Sequence, residues 1–176
     1  SLLKRAIKTL WIVSEEMELE WVPQVKSWEL NERHYGALQD RTKGEVEAEV
    51  GSDQVHLWRR GFRDTPPPLG LDDPRHPRFD RRYADVPQDR LPFSESLADV
   101  YDRVVPFWEE RIAPLIRSGR RVLVVSHGNT LRALVKHLEG ISDDEISKVE
   151  IPTGVPLVYE LDSGLKPTAR RLLADE

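Results

Sequence analysis

The sequence contains no cysteine. A disulfide framework and a thiolate metal site are therefore both excluded. It also lacks any apolar run long enough to span a membrane and any secretory leader pattern. An excess of positive charge is missing as well. Lys and Arg number 26 against 31 Asp and Glu, for a net charge of -5, which argues against nucleic acid as a general partner. His34, His56, His76 and His137 show no spacing with carboxylates that would make a metal site. No internal repeat is present, so a solenoid is excluded. These absences suit a cytoplasmic protein without membrane, nucleic-acid or metal partners.

What is present fits one globular domain spanning residues 1–176, with 39% hydrophobic and 32% charged residues. Basic residues cluster at Lys4-Arg5, Arg59-Arg60 and Arg81-Arg82. Such clusters in an acidic chain point to a local anionic ligand or to solvated faces. Helical spacing opens the chain, with Leu3, Ile7, Leu10 and Trp11 on one stripe. A short strand is expected over Val22 to Lys26, and short helices over Thr42 to Gly51 and Ser52 to Phe62. Thr65 to Pro92 has no period and holds Pro66-Pro67-Pro68, so it reads as a long ordered loop. Ser96-x-x-Asp99 is a capping box opening a long helix, which Pro106 and Pro114 should kink or break. A short helix is expected from Ser142. Val155 to Leu161 reads as a strand, Asp162-Ser-Gly as a turn, and Ala169 to Leu173 as a strand pairing back.

The chain is organised around Arg121 to Leu138. Val122 to Val125 is a short apolar run, as in a strand buried on both faces of a parallel sheet. Thr130 to Leu138 follows with apolar residues at helical spacing. Between them lies Ser126-His127-Gly128-Asn129. Such strand-to-helix turns sit where α/β proteins bind ligands, and a helix N-terminus favours anions. Gly128 permits close backbone approach, Asn129 can cap the helix, and His127 is aimed at an anion site.

Glu32-Arg33-His34-Tyr35 crowds an acid, a fixed cation, an imidazole and a phenol into four residues. It reads either as a salt-bridged loop or as a site in which Glu32 moves protons. Arg59-Arg60 can grip a phosphate or carboxylate by paired hydrogen bonds, or form a solvated helix face.

Taken together, Ser1-Leu-Leu-Lys-Arg-Ala6, Leu30-Asn-Glu-Arg-His-Tyr-Gly-Ala-Leu38, Trp58-Arg-Arg-Gly-Phe62, Ser126-His-Gly-Asn-Thr-Leu-Arg-Ala-Leu134 and Ile151-Pro-Thr-Gly-Val-Pro-Leu-Val-Tyr-Glu160 resemble the cofactor-dependent phosphoglycerate mutases of the histidine phosphatase superfamily. The likeness runs in order over nearly the whole chain. It implies a three-layer α/β/α sandwich around a mostly parallel sheet. It also implies interconversion of 2- and 3-phosphoglycerate through a phosphohistidine primed by 2,3-bisphosphoglycerate, without metal, in a homodimer or homotetramer. By resemblance Glu32 exchanges the substrate's hydroxyl proton and His127 steadies the transferring phosphoryl group. Arg5, Lys43, Arg59 and Arg60 bind phosphate and carboxylate, Arg33 and Tyr35 line the site, and Gly128 and Asn129 bind at the helix N-terminus.

One departure stands out. The family's phosphate-accepting histidine lies in an Arg-His-Gly motif after the first strand, and this sequence has no Arg-His-Gly. Ser1 opens directly on the helical pattern, and the family's mobile C-terminal tail is short or absent. The expectation is therefore a mutase lacking its first strand, with the Val122–Val125 edge left apolar and unpaired and the 176 residues inactive alone. Two other activities share the motifs: a bisphosphoglycerate phosphatase or synthase. A non-catalytic anion-binding module is the reading that takes the missing nucleophile at face value.

Overall fold

The computed structural model describes residues 1–174. Helix α1 (Lys4–Glu16) opens the chain, followed by a short 3-10 turn at Trp28–Leu30. Helices α2 (Lys43–Val50) and α3 (Ser52–Arg60) form a pair joined through Gly51, whose φ of 86° is the left-handed conformation that glycine adopts without strain. Thr42 and Glu45 cap α2 reciprocally. From Thr65 to Pro92 the chain is the expected loop, ordered by three 3-10 turns at Pro77–Phe79, Arg81–Tyr83 and Gln88–Arg90.

Helix α4 (Leu97–Phe107) begins at the capping box. Ser96 Oγ accepts from Asp99 N at 3.2 Å, and Ser96 N donates to Asp99 Oδ2 at 2.7 Å. The helix continues through Pro106. Pro114 has a different effect. Its ring would crowd the carbonyl of Glu110 in a regular helix, and Trp108–Ile112 widens into a π-turn before α5 (Ala113–Arg117). The π-turn accommodates the proline without ending the helical path.

Helix α6 (Gly128–Glu139) packs on α4 and completes the core. Leu97, Val100, Val104, Trp108 and Ile112 meet Ala133 and Leu134, with Leu30, Phe62 and Ile146 filling the margins. Gly140, at φ 65°, ends α6 in a left-handed cap. The short helix expected from Ser142 is a 3-10 turn at Glu145–Lys148.

The chain is α/β as expected, with a smaller sheet. Among the described residues it has two strands, β1 (Leu157–Leu161) and β2 (Pro167–Leu172), paired antiparallel from Leu157–Leu172 to Leu161–Pro167. The mostly parallel sheet is not assembled from these residues. Val122–Val125 is not a hydrogen-bonded strand, and Leu123 is 58% exposed rather than buried. A buried strand needs neighbours on both edges, and no described segment lies there to supply them. Val22 to Lys26 is likewise irregular rather than a strand, with Pro23 to Lys26 exposed. On α1, Trp11 is exposed although it belongs to the apolar stripe.

Candidate active site

The site is built where α6 begins. His127 is the N-cap residue of α6 and is 5% exposed. The helix starts at Gly128, so Asn129 lies within its first turn rather than capping it as the sequence suggested; no side chain caps this end. The residues around His127 hold a second segment in place. Ser126 Oγ donates to Leu30 O at 2.7 Å, and Thr130 Oγ1 donates to Asn31 O at 2.7 Å. The turn after Val125 thus pins the backbone that leads to Glu32.

The imidazole of His127 is engaged on both nitrogens. Arg5 Nε donates to Nδ1 at 3.2 Å, and Nε2 lies 2.8 Å from Ser1 Oγ. Since Nδ1 accepts, a neutral ring carries its proton on Nε2. Nε2 then donates to Ser1 Oγ, which donates to Asn31 Oδ1 at 2.9 Å. Burial and the neighbouring Arg5 cation push His127 down to about 4. The ring is therefore neutral near pH 7.

Asn31 is the junction of the site. Its Oδ1 also accepts from Leu2 N at 2.7 Å, and its Nδ2 donates to Tyr83 OH at 2.9 Å. One side chain thereby ties the start of the chain, the Glu32 segment and the long loop together.

Below this segment lies a buried ion pair. Arg103, on α4, donates from Nε to Glu95 Oε1 at 2.6 Å and from Nη2 to Glu95 Oε2 at 3.0 Å. It also donates to the carbonyls of Glu29 at 2.5 Å, Asn31 at 3.0 Å and Glu32 at 3.4 Å. Glu95 accepts from His34 N at 2.8 Å. Both charged groups are buried and multiply hydrogen-bonded, as a charge in an interior must be.

Glu32 and its neighbours form the wall of an open cleft of about 610 Å³. Lys4, Arg5, Lys8, Arg33 and Arg82 supply five cations to it, Glu32 is its one carboxylate, and Tyr35 and Gln39 contribute polar edges. Arg33 is 2% exposed and its guanidinium lies 4.6 Å from the Tyr35 ring centre. Its Nη2 donates to Arg59 O at 3.2 Å, while Nε and Nη1 have no acceptor among the described residues. Tyr35 OH accepts from Asn129 Nδ2 at 3.0 Å, and Asn129 Oδ1 accepts from Arg132 at 3.1 Å. Burial, with the nearby Arg60 cation, lowers Arg132 to about 10.

The expected site residues are thus not all at one place. Arg5, Glu32, Arg33 and Tyr35 line the cleft, and His127 and Asn129 touch its lining through Arg5 and Tyr35. Gly128 is exposed at the start of α6, and a Cβ added there would meet nothing within 4 Å. Arg59 is exposed and stands 5.8 Å from the Tyr35 ring centre. Arg60 pairs with Glu150, and Lys43 pairs with Glu47 at 3.2 Å along α2; neither borders the cleft.

Lys8, Gln39, Asn31, Glu95 and Arg103 are additions to which the sequence alone assigns no role, whereas Lys4 and Arg82 come from the basic clusters that point to an anionic ligand. Arg103 does leave a trace, since it lies on the same stripe as the buried Val100 and Val104. A charge on an apolar stripe signals a buried partner. A smaller cavity of about 390 Å³, lined by Trp108, His137, Gly140 and Lys166 among others, touches none of these residues. Among the described residues no three His, Asp or Glu side chains converge as a metal set.

Comparison with known proteins shows the family. The family model of the histidine phosphatase superfamily (branch 1) matches residues 1–170. The chain belongs to this superfamily. It is 57% identical, over 99% of its length and 73% of the relative's, to the 2,3-bisphosphoglycerate-dependent phosphoglycerate mutase of Nitrosococcus oceani. That likeness places it among the mutases of the superfamily. A solved mycobacterial glucosyl-3-phosphoglycerate phosphatase shares the fold, with a TM-score of 0.61, 21% identity, and coverage of 97% of this chain and 72% of its own.

Proposed function

We propose that the protein interconverts 2- and 3-phosphoglycerate through a phosphohistidine, with 2,3-bisphosphoglycerate as the priming ligand. The observation that carries this reading is the cleft itself, in which one carboxylate, Glu32, stands among five cations beside a neutral, fixed His127. Phosphoryl transfer to and from a histidine needs charge stabilisation and positioning at each of its two steps. The cations supply the first and the hydrogen-bonded frame of Asn31, Arg103 and Thr130 supports the second. Glu32 is the one cleft group suited to exchange a proton with a substrate hydroxyl. Its Oε1 accepts from Arg33 N at 2.8 Å, which fixes the carboxylate's orientation.

The residues present fit a bisphosphorylated glycerate. Arg5, Arg33 and Arg82 can hold its anionic groups, and Arg33 has two buried donors without a protein acceptor among the described residues. When bound, that ligand supplies the priming phosphoryl group. The phosphate-accepting imidazole has no Arg-His-Gly counterpart in this sequence, and no residue here is assigned to that role. The site is read as working without a metal ion, in a cytoplasmic homodimer or homotetramer; light scattering of the full-length protein tests the assembly.

The functional test is conversion of 3-phosphoglycerate to 2-phosphoglycerate by the full-length protein, with and without 2,3-bisphosphoglycerate. Glu32→Gln should keep phosphoglycerate binding while lowering turnover by about 10²–10⁴-fold, the usual worth of general acid–base help. Unchanged turnover would remove Glu32 from proton transfer. Release of inorganic phosphate faster than isomerisation would favour a phosphatase instead.

A further inference from the structure

The long loop carries two Asp-x-Arg clips, Asp73-Pro74-Arg75 and Asp80-Arg81-Arg82. In the first, Arg75 donates from Nε to Asp73 Oδ1 at 3.0 Å and from Nη2 to Asp73 Oδ2 at 2.7 Å. The nitrogen left over, Nη1, donates to Gln39 O at 2.8 Å. In the second, Arg82 donates from Nε to Asp80 Oδ1 at 3.0 Å and from Nη2 to Asp80 Oδ2 at 2.5 Å. Here no described residue accepts from the corresponding Nη1, the Arg82 side chain being 48% exposed to solvent, and Arg82 stands in the cleft wall with Arg5, Lys8, Glu32 and Arg33. The two clips are alike in chemistry and differ in what the third nitrogen meets.

Each aspartate orients its guanidinium through paired hydrogen bonds. Hydrogen bonds from Arg75 hold Asp73 down to about 2, and those from Arg82 hold Asp80 below the usual carboxylate range. The second clip is also fixed to the site, since Tyr83, the next residue, accepts from Asn31 Nδ2. A fixed guanidinium loses little freedom on meeting an oxyanion, so its hydrogen bond contributes more to affinity.

A monophosphoglycerate brings two anionic groups, a phosphate and a carboxylate, and a bisphosphoglycerate brings three. Resting on the function proposed above, we propose that Arg82 is a specificity-determining residue, whose Nη1 donates to the second phosphoryl group and so favours the doubly phosphorylated ligand.

Calorimetric titration of the full-length protein with 2,3-bisphosphoglycerate and with 3-phosphoglycerate, at one ionic strength, tests this. Arg82→Gln should weaken the bisphosphate about tenfold and leave 3-phosphoglycerate within about twofold, consistent with the loss of one charged hydrogen bond. Arg81→Gln removes the same charge from the neighbouring residue, which does not border the cleft, and should change neither affinity. Asp80→Asn separates the clip from bulk electrostatics. Removing a negative charge near the cleft would tighten anion binding, whereas loosening the guanidinium should weaken the bisphosphate several-fold. Equal losses for both ligands in Arg82→Gln, no loss, matching losses in Arg81→Gln, or tighter binding in Asp80→Asn would each overturn the proposal. Wild-type protein that binds neither glycerate would instead overturn the function on which it rests. Binding of both with Arg82→Gln indistinguishable from wild type would overturn the role of Arg82 alone.

Discussion

His127 owes its chemistry to two neighbours and to burial. Arg5 occupies Nδ1 and disfavours a second positive charge, while the surrounding protein removes water. A folded-state pKa of about 4 lies below the ordinary value of 6.5. The unfolded chain therefore binds a proton that the folded chain refuses, and stability is full above pH 6.5 and falls as pH drops toward 4. One unit corresponds to 1.36 kcal/mol, so this residue alone accounts for about 3 kcal/mol across that window. His34 and His76, both lowered mainly by burial, act in the same direction. Nuclear magnetic resonance titration of the His127 ring should show a midpoint near 4. Arg5→Gln should raise it, because the cation that opposes protonation is gone. A midpoint near 6.5 in the wild type would mean that the ring is not held as described.

At the scale of elements, the segment from Glu29 to His34 has no regular structure beyond a 3-10 turn, yet it carries Glu32. Arg103 substitutes for the missing ladder by bonding three of its carbonyls, with Glu95 neutralising the charge. Removing one partner of such a pair leaves an uncompensated buried charge, at a cost of roughly 3–5 kcal/mol. Arg103→Met should therefore lower the denaturant midpoint strongly, and adding Glu95→Leu to it should recover part of the loss. If the double variant were no more stable than the single one, the carbonyl contacts rather than the stranded carboxylate would dominate.

This arrangement also explains what was legible in the sequence. The capping box at Ser96 and Asp99 is local, fixed between residues three apart, and the helix after His127 is legible from its apolar spacing, whereas the turn before it is held by Leu30 and Asn31, distant in sequence. Arg103 and Glu95 act across α4 onto a distant segment, which no local period encodes. Val122–Val125 has the composition of a buried strand, but strand burial is decided by partners elsewhere in space. The basic pairs show the same limit. Lys4-Arg5 and Arg82 reach the cleft, while Arg60 turns to Glu150, a residue distant in sequence.

Over the whole molecule, the charge is -5 while the cleft gathers five cations around one carboxylate. An anionic ligand is therefore repelled by the protein as a whole and attracted by one place on it. Distance decides which effect wins. In water a unit pair at 4 Å is worth about 1 kcal/mol, and at five times that separation about 0.2 kcal/mol. At about 0.1 M salt the screening length is about 10 Å, so remote carboxylates fade while the cleft's own cations still act. Binding should therefore be governed by near charges and should weaken as salt rises from about 0.1 to 1 M, where screening reaches about 3 Å. The decline should be steeper for 2,3-bisphosphoglycerate than for 3-phosphoglycerate, because the former presents more charge to the same cations. Titrations of both ligands across that salt range measure the two slopes. Parallel slopes would show that the cleft does not sense the additional phosphate, and affinity rising with salt would show that the repulsion of the whole chain, not the cleft, controls approach.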